Sequence, residues 1–328
     1  MQLGTISGRR AAAIWAGLLG MTLSCAQPPS ETPAEQPIEF RLATDVLPSG
    51  GIMLSNGVLV QPSDWRAVIL AQVPGTATER ERTCTGSLVG TNVVLLAAHC
   101  VDRTIGGPPR RARLAIDDGF ADLVCSMHKV YADLEPRIFD ARGSEDYALC
   151  LLKLSDSARK RLETIRTEVL DDATILPAGT KVLMSGYGCS KLRVAEGSLD
   201  YERSDRQLRI GDGEVDTPAS GQPPLPTYLT IRSPETSSPA ICPGDSGGPL
   251  FIGATAAMPD QSRRIVGVNS AVNFKVRADG GYDLISYVAA TGNATFREWA
   301  LNWINENRSS KPIICGVNRK ANVPPCRP

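Results

Sequence analysis

The chain has 328 residues, of which 42% are hydrophobic and 21% charged, a composition that excludes a disordered chain. Lys plus Arg and Asp plus Glu both total 35, so the formal net charge is zero. A neutral chain has no long-range attraction to nucleic acid or to an anionic membrane surface, and nucleic acid is therefore not a predicted partner.

The chain begins with the features of an export signal. Arg9-Arg10 precede an apolar run from Ala11 to Ser24, and small residues follow. Residues 1–25 are therefore predicted to be a signal peptide. Two ends stay open: a site that resembles that of a bacterial lipoprotein, in which a lipidated Cys25 would anchor the chain to a membrane, and a plain cut after Ala26. Both predict a secreted or cell-envelope protein, the first a periplasmic or outer-membrane lipoprotein.

The composition changes twice after the signal. Residues 26–51 are rich in Pro, Glu, Gln and Ser and are predicted to be a polar tether or a propeptide. From about residue 52, short apolar runs such as Val93–Leu96 and Ile265–Val268 alternate with turn-forming residues. This pattern predicts an all-β body of the sandwich or barrel type.

Two segments have helical periodicity. Apolar residues recur at helical spacing behind Ser155 and predict a helix over 156–169 between the two halves of the body. A second helix is predicted over 295–308, where Thr295 and Glu298 have the spacing of a capping box.

The cysteines indicate disulfides. There are nine cysteines, and either processing route removes Cys25 from disulfide pairing. An even set of eight in an exported chain predicts four disulfides. A structural metal site is disfavoured because the chain has no C-x-x-C motif and only two histidines.

The strongest chemical signal is the sequence GDSGGP at residues 244–249. A hydroxyl is a poor nucleophile, so Ser246 would need a base for its proton and donors for the oxyanion that forms on attack. Glycine on both sides lets the backbone turn tightly, so that consecutive N–H groups can point to one place. The alternative is an ordinary glycine-rich turn between two strands. Such a turn does not require all six residues of GDSGGP, so the motif disfavours this alternative.

Two further motifs supply the other groups. His99 lies in LAAHC at residues 96–100, and Asp146 opens the apolar stretch of residues 147–154. The chain order His, Asp, Ser is one of the known orders of a catalytic triad. His128 has no companion motif and is predicted to be structural.

With these motifs, the chain resembles the trypsin/chymotrypsin family from about residue 52 to 308. The sequence CTGSL at residues 84–88 resembles the strand before the family's catalytic histidine, and GYG at 186–188 resembles its G-W-G turn. Ser270 matches the serine that supports the catalytic aspartate and lines the cleft.

The resemblance implies the fold and the domains. The fold would be all-β, with two antiparallel Greek-key β-barrels at about residues 52–155 and 175–290 and a C-terminal helix. The protease domain would span residues 52–310, and a disulfide-closed tail would span residues 311–328.

The resemblance also implies the mechanism of a serine endopeptidase. His99, Asp146 and Ser246 would form the catalytic triad and pass through an acyl-enzyme intermediate. The backbone N–H groups of Gly244 and Ser246 would form the oxyanion hole. These steps require no metal and no organic cofactor. The implied partner is a protein or peptide substrate, and the implied state is a monomer.

By the same resemblance, Ala240, Ser270, Val272 and Asp283 line the substrate pocket. Ala240 takes the pocket-floor position, where an Asp would select Lys or Arg, and Val272 would narrow the pocket. These residues predict a preference for small apolar side chains, whereas Asp283 would attract a basic one.

The expected activation end is the main departure from the family pattern. In the family, an Ile-Val-Gly-Gly amino terminus pairs with the aspartate before the nucleophile, here Asp245. The chain has no such sequence, and Ile52 is the nearest candidate by position. Two possibilities stay open: a cut near Ile52 activates a precursor, or the oxyanion hole forms without one.

The resemblance further implies the disulfide pairs Cys84–Cys100, Cys125–Cys150, Cys189–Cys242 and Cys315–Cys326. The alternative function is a catalytically silent protease-fold module for binding or adhesion at the cell surface. Intact His99 and Ser246 favour the enzyme, because silent relatives commonly lose one of them.

Overall fold

In the computed structural model, the described residues all belong to the unit Gln36–Pro328. They are residues 36–45, 55–75, 80–102, 109–132, 145–217, 227–235, 238–259 and 261–328. The predicted signal peptide, Cys25 and Ile52 lie outside these residues. No helix within the described residues combines the length and apolar character that crossing a membrane requires.

The secondary structure is mainly β. The strands of the described residues are β1 Ile38–Arg41, β2 Val58–Leu59, β3 Val68–Val73, β4 Arg82–Gly90, β5 Val93–Leu96, β6 Ala112–Ile116, β7 Gly119–Met127, β8 Ala148–Lys153, β9 Val169–Leu170, β10 Lys181–Gly186, β11 Leu192–Ala195, β12 Ser198–Tyr201, β13 Arg209–Glu214, β14 Tyr228–Pro234, β15 Pro249–Ile252, β16 Arg264–Val276 and β17 Tyr282–Ala290. The α-helices are α1 Ala98–Val101, α2 Lys129–Ala132, α3 Asp156–Glu163 and α4 Ala294–Glu306.

The first half is a closed barrel with the strand order β1-β3-β4-β5-β8-β7-β6. Its interior is filled by buried side chains that include Phe40, Ile69 and Val94. Neighbouring strands are antiparallel except for β1 and β6, which close the barrel as a parallel pair. The predicted all-β fold is confirmed, with this one parallel pair as a difference from the expected antiparallel barrel.

Strand β1 lies inside residues 26–51, the segment predicted to be a tether. Ile38 and Phe40 are fully buried while Glu39 and Arg41 face outward, which is the alternation of a half-buried strand. The tether prediction is therefore wrong for residues 38–41. The average polar composition of residues 26–51 concealed a short alternating strand.

The second half is one curled sheet with the main order β14-β17-β16-β15-β10-β13-β2, and β9 pairs with β16. Its two ends approach each other where Val215 pairs with Ile231 and the Asp216 N–H donates to the Thr230 carbonyl at 2.7 Å. Short strand β2 adds to β13, so residues near the start of the predicted protease domain belong to the second half.

The two halves are joined by α3 and by the segment that follows it, which ends in β9. Helix α3 is capped by Ser155, as predicted, but ends at Glu163 rather than at residue 169. The chain leaves the helix so that Val169 and Leu170 can pair with β16. Tertiary pairing here outweighs the helical periodicity of the sequence.

The C-terminal tail packs on this segment. The Cys315 N–H donates to the Val89 carbonyl at 2.7 Å, and the Leu170 N–H donates to the Cys315 carbonyl at 2.8 Å. We call residues 167–170, 263–265 and 311–328 the tail clamp, because they hold the first barrel, the connecting segment and the second sheet together.

Helix α4 packs on the first barrel beside β8. Phe296 and Trp303 are buried, and the Phe296 ring lies edge-on to Tyr147 with centroids 5.0 Å apart. Asn293 caps the helix by accepting the Phe296 N–H at 2.8 Å. The capping box predicted at Thr295 and Glu298 is therefore wrong, because the helix begins one residue before Thr295.

Four disulfides are present, and they join the same pairs that the family resemblance implied. They are Cys84–Cys100, Cys125–Cys150, Cys189–Cys242 and Cys315–Cys326. The first fixes the turn that carries His99 to β4, and the third joins the GYG turn to the loop before Ser246.

Candidate active site

His99, Asp146 and Ser270 form a hydrogen-bonded set. His99 lies on the single turn of α1, directly after β5, and its Nδ1 is 2.7 Å from Oδ2 of Asp146. The His99 backbone N–H donates to the other carboxylate oxygen at 3.0 Å. The Ser270 hydroxyl donates to Oδ2 at 2.6 Å. With Asp146 ionised, Nδ1 carries the ring proton, and the lone pair of Nε2 is left for another partner.

Asp146 stays ionised although it is buried. Burial alone would raise its pKa, but the charge of His99 and the hydrogen bonds from His99 and Ser270 lower the pKa below its ordinary value. The position of Asp146 at the start of β8 brings its carboxylate to the end of the first barrel.

Ser246 lies in the loop that precedes β15 of the second sheet. Its hydroxyl oxygen is 3.4 Å from the carbonyl of Ser270, the residue that donates to Asp146. Its carbonyl oxygen is 3.5 Å from Sγ of Cys100, the neighbour of His99. These two contacts place the Ser246 loop against both the aspartate support and the histidine turn.

Thr85 on β4 holds this loop against the first barrel. Its backbone N–H donates to the Ser246 carbonyl at 2.8 Å, and its hydroxyl donates to the Gly244 carbonyl at 3.0 Å. The same hydroxyl accepts the Tyr187 N–H at 3.0 Å. Sequence reasoning used Thr85 only as part of a strand motif, and its position directly after Cys84 was the one signal for this role.

Two glycines of the loop are required by its geometry. Gly244 has φ of 109° and Gly247 has φ of 85°, which favour glycine. A Cβ at Gly247 would lie 2.2 Å from the Thr85 carbonyl, so a side chain there would push the loop off the first barrel. The oxyanion hole expected from the Gly244 and Ser246 N–H groups stays a prediction.

Asp245 is fully buried behind Ser246. Its carboxylate accepts the Gly188 N–H at 2.7 Å and the Cys242 N–H at 2.9 Å. Burial raises its pKa to about 7, although these two N–H groups and the charge of Arg209 act in the opposite direction. The ion pair expected for Asp245 involves residues near Ile52, which lie outside the described residues.

The predicted pocket residues divide into two groups. Ala240 is buried in an apolar cluster with Leu284 and the Cys189–Cys242 disulfide, and Val272 packs against this cluster. Asp283 lies instead between two guanidinium groups: its carboxylate oxygens are 3.3 Å from Nη1 of Arg277 and 3.7 Å from Nη1 of Arg232. The hypothesis that Asp283 attracts a basic substrate residue loses support, because Asp283 already pairs with two arginines, which it shares with Asp279 and Asp216.

A cluster that could suggest a metal site has another explanation. Sγ of Cys84, Sγ of Cys100 and a ring nitrogen of His99 lie within 4.8 Å of one another. Both sulfurs belong to one disulfide, so neither is a thiolate ligand.

His128 contacts Glu145, the residue before Asp146, and does not belong to this set. His128 is buried against the ring of Trp299, with ring centroids 5.2 Å apart. Its backbone N–H donates to the Tyr147 carbonyl at 2.9 Å. Glu145 is its buried acidic neighbour, and sequence reasoning did not single out this glutamate.

The closed barrel, the curled second sheet and the C-terminal helix define the chymotrypsin-like fold. A family model described as Trypsin matches residues 55–299, about three quarters of the chain. The chain therefore belongs to the trypsin family.

Two curated relatives are insect serine proteases. The chain is 29% identical to Serine protease SP24D of Anopheles gambiae over 230 residues, which cover 66% of this chain and 73% of that protein. It is 27% identical to Serine protease Hayan of Drosophila melanogaster over 218 residues, 62% of this chain but only 33% of that protein. Because both relatives are insect proteins, they give no support to the bacterial origin that the lipoprotein-like site suggested.

Proposed function

We propose that this chain is a serine endopeptidase in which Ser246 is the nucleophile, His99 the general base and Asp146 the residue that orients His99. The observation that carries the proposal is the bonded set Ser270–Asp146–His99, which fixes the proton on Nδ1 and leaves Nε2 to accept a proton. Its support is the Ser246 hydroxyl, which lies within 3.4 Å of the same Ser270.

The reaction follows from these roles. The Ser246 oxygen attacks the scissile carbonyl carbon while its proton passes to Nε2 of His99. The C–N bond then breaks as His99 returns the proton to the leaving amine, and an acyl-enzyme remains. Water then attacks the acyl-enzyme with His99 again as the base, and the product carboxylic acid leaves as Ser246 regains its proton. The buried charge of Asp146 stabilises the imidazolium during both steps, and the N–H groups of Gly244 and Ser246 would bind the oxyanion.

Labelling with a fluorophosphonate probe tests the proposal. The mature, processed protein should be labelled and should cleave peptides, whereas Ser246→Ala should abolish labelling and lower kcat by about six powers of ten. Ser262→Ala removes an exposed hydroxyl and is the matched control, with full labelling expected. A folded, processed protein that neither reacts with the probe nor cleaves peptides would instead support the silent binding or adhesion module.

We also propose a preference for small apolar side chains on the amino-terminal side of the cut. Ala240, Val272 and Leu284 give this region an apolar lining, and Asp283 is already paired with Arg277 and Arg232. A peptide library should therefore show cleavage after residues such as Ala and Val. Cleavage mainly after Lys or Arg would reject this preference.

Export is part of the proposed function. Four disulfides form and persist in oxidising compartments, and the charged and apolar start of the chain fits an export signal. Lipidation of Cys25 stays a prediction. Mass analysis of the mature protein would distinguish a lipidated Cys25 from a plain cut after Ala26, and would also show whether a second cut occurs near Ile52.

A further inference from the structure

Glu145 and His128 form a buried pair directly behind the candidate aspartate. His128 is 4% exposed and Glu145 is 5% exposed. Nδ1 of His128 is 3.4 Å from Oε2 of Glu145. Glu145 precedes Asp146 in the chain, so any movement of the Glu145 side chain acts on the backbone that positions Asp146.

Hydrogen-bond geometry decides where the proton of this pair lies. The Val130 backbone N–H donates to Nδ1 of His128 at 3.2 Å, so Nδ1 is an acceptor. A proton on Nδ1 would point at the hydrogen of that amide. Oε2 of Glu145 is buried and receives no hydrogen bond from any described residue. Two acceptor atoms thus face each other, and a proton on the carboxyl group resolves the conflict.

We infer that Glu145 is a protonated, uncharged carboxyl group that donates to His128, and that this neutral pair is a positioning device for Asp146. The inference rests on the proposed function, since it assigns a role to residues behind the proposed triad. Burial of the pair agrees with it: burial lowers the pKa of His128 and raises the pKa of Glu145, and both shifts favour the neutral forms.

Within the part of the chain that the structure describes, the surroundings of the pair supply no charge that would favour an ion pair. The charged or titratable residues of the packed elements are Asp146 and Tyr147 beside Glu145, Lys129 and Tyr131 on α2, and Arg297 and Glu298 on α4. Lys129 and Glu298 are exposed, and the guanidinium of Arg297 bonds to Asp172 at 2.7 Å. The face that α4 turns toward the pair is the uncharged ring of Trp299.

Loss of the proton has a direct consequence for Asp146. An ionised Glu145 would be a second buried carboxylate one residue from Asp146, with no donor for Oε2. Like charges repel and an unsatisfied buried carboxylate is costly, so the segment 145–147 would shift and the Asp146–His99 bond would be disturbed. Activity should therefore fall on the alkaline side as Glu145 ionises.

The pH dependence of kcat/KM tests the positioning role. In Glu145→Gln the amide can donate to His128 but cannot ionise, so the alkaline decline should move to higher pH. Glu145→Ala should lower kcat/KM at every pH, and Glu145→Gln should restore most of that loss. Glu298→Gln, which removes a charge from the exposed face of α4, is the control and should keep the wild-type profile. A Glu145→Gln profile identical to that of the wild type would overturn the inference.

Nitrogen-15 spectra of the imidazole rings test the proton location without any activity. The measurement uses Ser246→Ala, and because the chain has only two histidines, His99→Gln assigns the signals. His128 should be the neutral Nε2–H form at pH 7. An imidazolium signal for His128 at pH 7 would overturn the inference, whether or not the chain is a peptidase and whether or not Glu145→Gln folds.

Discussion

Two fully buried carboxylates, Asp245 in the cleft behind Ser246 and Glu168 in the tail clamp, have different kinds of partners. Glu168 receives two hydrogen bonds from the guanidinium of Arg263, at 2.6 and 3.1 Å. That guanidinium also lies 3.6 Å from the ring centroid of Trp65. Among the described residues, Asp245 accepts hydrogen bonds from two backbone N–H groups, and Arg209, the cation whose charge reaches it, bonds to Asp205.

The difference separates a structural region from one whose charge balance is incomplete. In the tail clamp, the charge and the hydrogen-bond acceptors of Glu168 are matched by the guanidinium of Arg263. The clamp therefore adds rigidity where the two halves meet. In the cleft, the raised pKa of Asp245 records a carboxylate that a further cation would stabilise. Changes in the clamp should therefore act on stability, and changes in the cleft should act on catalysis or on its pH dependence.

The largest expected effect comes from the cleft. Asp146→Asn should lower kcat by about four powers of ten, because an amide no longer holds His99 with its proton on Nδ1. The stability of the fold should change far less than the activity. Asp122→Asn, on the exposed face of β7, is the control for loss of one aspartate. Steady-state kinetics that show Asp146→Asn within tenfold of the wild type would contradict the assigned role.

The next largest effect comes from the tail clamp, where a substitution should lower stability rather than activity. Arg263→Met removes both hydrogen bonds to buried Glu168 and leaves it only Arg327, whose Nε is 3.9 Å from Oε1, so the free energy of unfolding should fall by up to about 3–5 kcal/mol, while kcat of the folded enzyme is retained. Lys181→Met is the control, since it breaks an exposed pair with Glu214 that contributes about 0–1 kcal/mol. Urea unfolding measures both. A loss of kcat in Arg263→Met that exceeds its loss of stability would remove the distinction between the two regions.

Asp245 should make stability depend on pH. The Asp245 carboxyl keeps its proton up to about pH 7 in the folded chain, whereas in the unfolded chain it loses the proton near its ordinary pKa of 3.8. The folded state binds more protons between these values, so the free energy of unfolding should fall as pH rises from about 4 to 7, by at most about 4 kcal/mol. Asp245→Asn should remove this slope, and Asp156→Asn, an exposed control, should keep it.

The same measurement distinguishes the two activation possibilities. Ser55, three residues after Ile52, forms an antiparallel β-bridge with Ala240. Two residues after Ala240, the Cys242 backbone N–H donates to the Asp245 carboxylate. An amine freed by a cut near Ile52 and paired with Asp245 would lower the pKa of this carboxyl and abolish the slope. A slope that persists in fully active enzyme would indicate an oxyanion loop that forms without such a cut.

The sequence predicted the cleft better than the clamp. His99, Asp146 and Ser246 each lie in a short local motif, and the chemistry restricts which residues can occupy those positions. The Arg263–Glu168 pair joins residues 95 positions apart with no motif around either. Thr85 has the same difficulty, because its bonds to the Ser246 loop span 159 residues or more.

The fold shows the same division. The all-β class and the C-terminal helix follow from patterns that average over many residues. Strand β1 and the end of α3 depend on a few residues whose partners lie far along the chain: Phe40 needs the β3 and β6 backbones, and Val169 needs β16. Local periodicity contains no information about these partners, so the tether and the longer helix were predicted instead.

The smallest expected effect tests this difference at the start of α4, where pattern and packing disagree by two residues. Asn293→Ala removes the cap from the Phe296 N–H and a bond to the Ala290 carbonyl, so the free energy of unfolding should fall by about 1 kcal/mol or somewhat more. Thr295→Ala removes the residue that the capping-box pattern favoured and should be nearly neutral, because Thr295 is exposed. Thermal unfolding of the two variants compares them directly. A larger loss in Thr295→Ala would mean that the helix begins where the sequence pattern placed it, and the contact between Phe296 and Tyr147 beside Asp146 would then need another explanation.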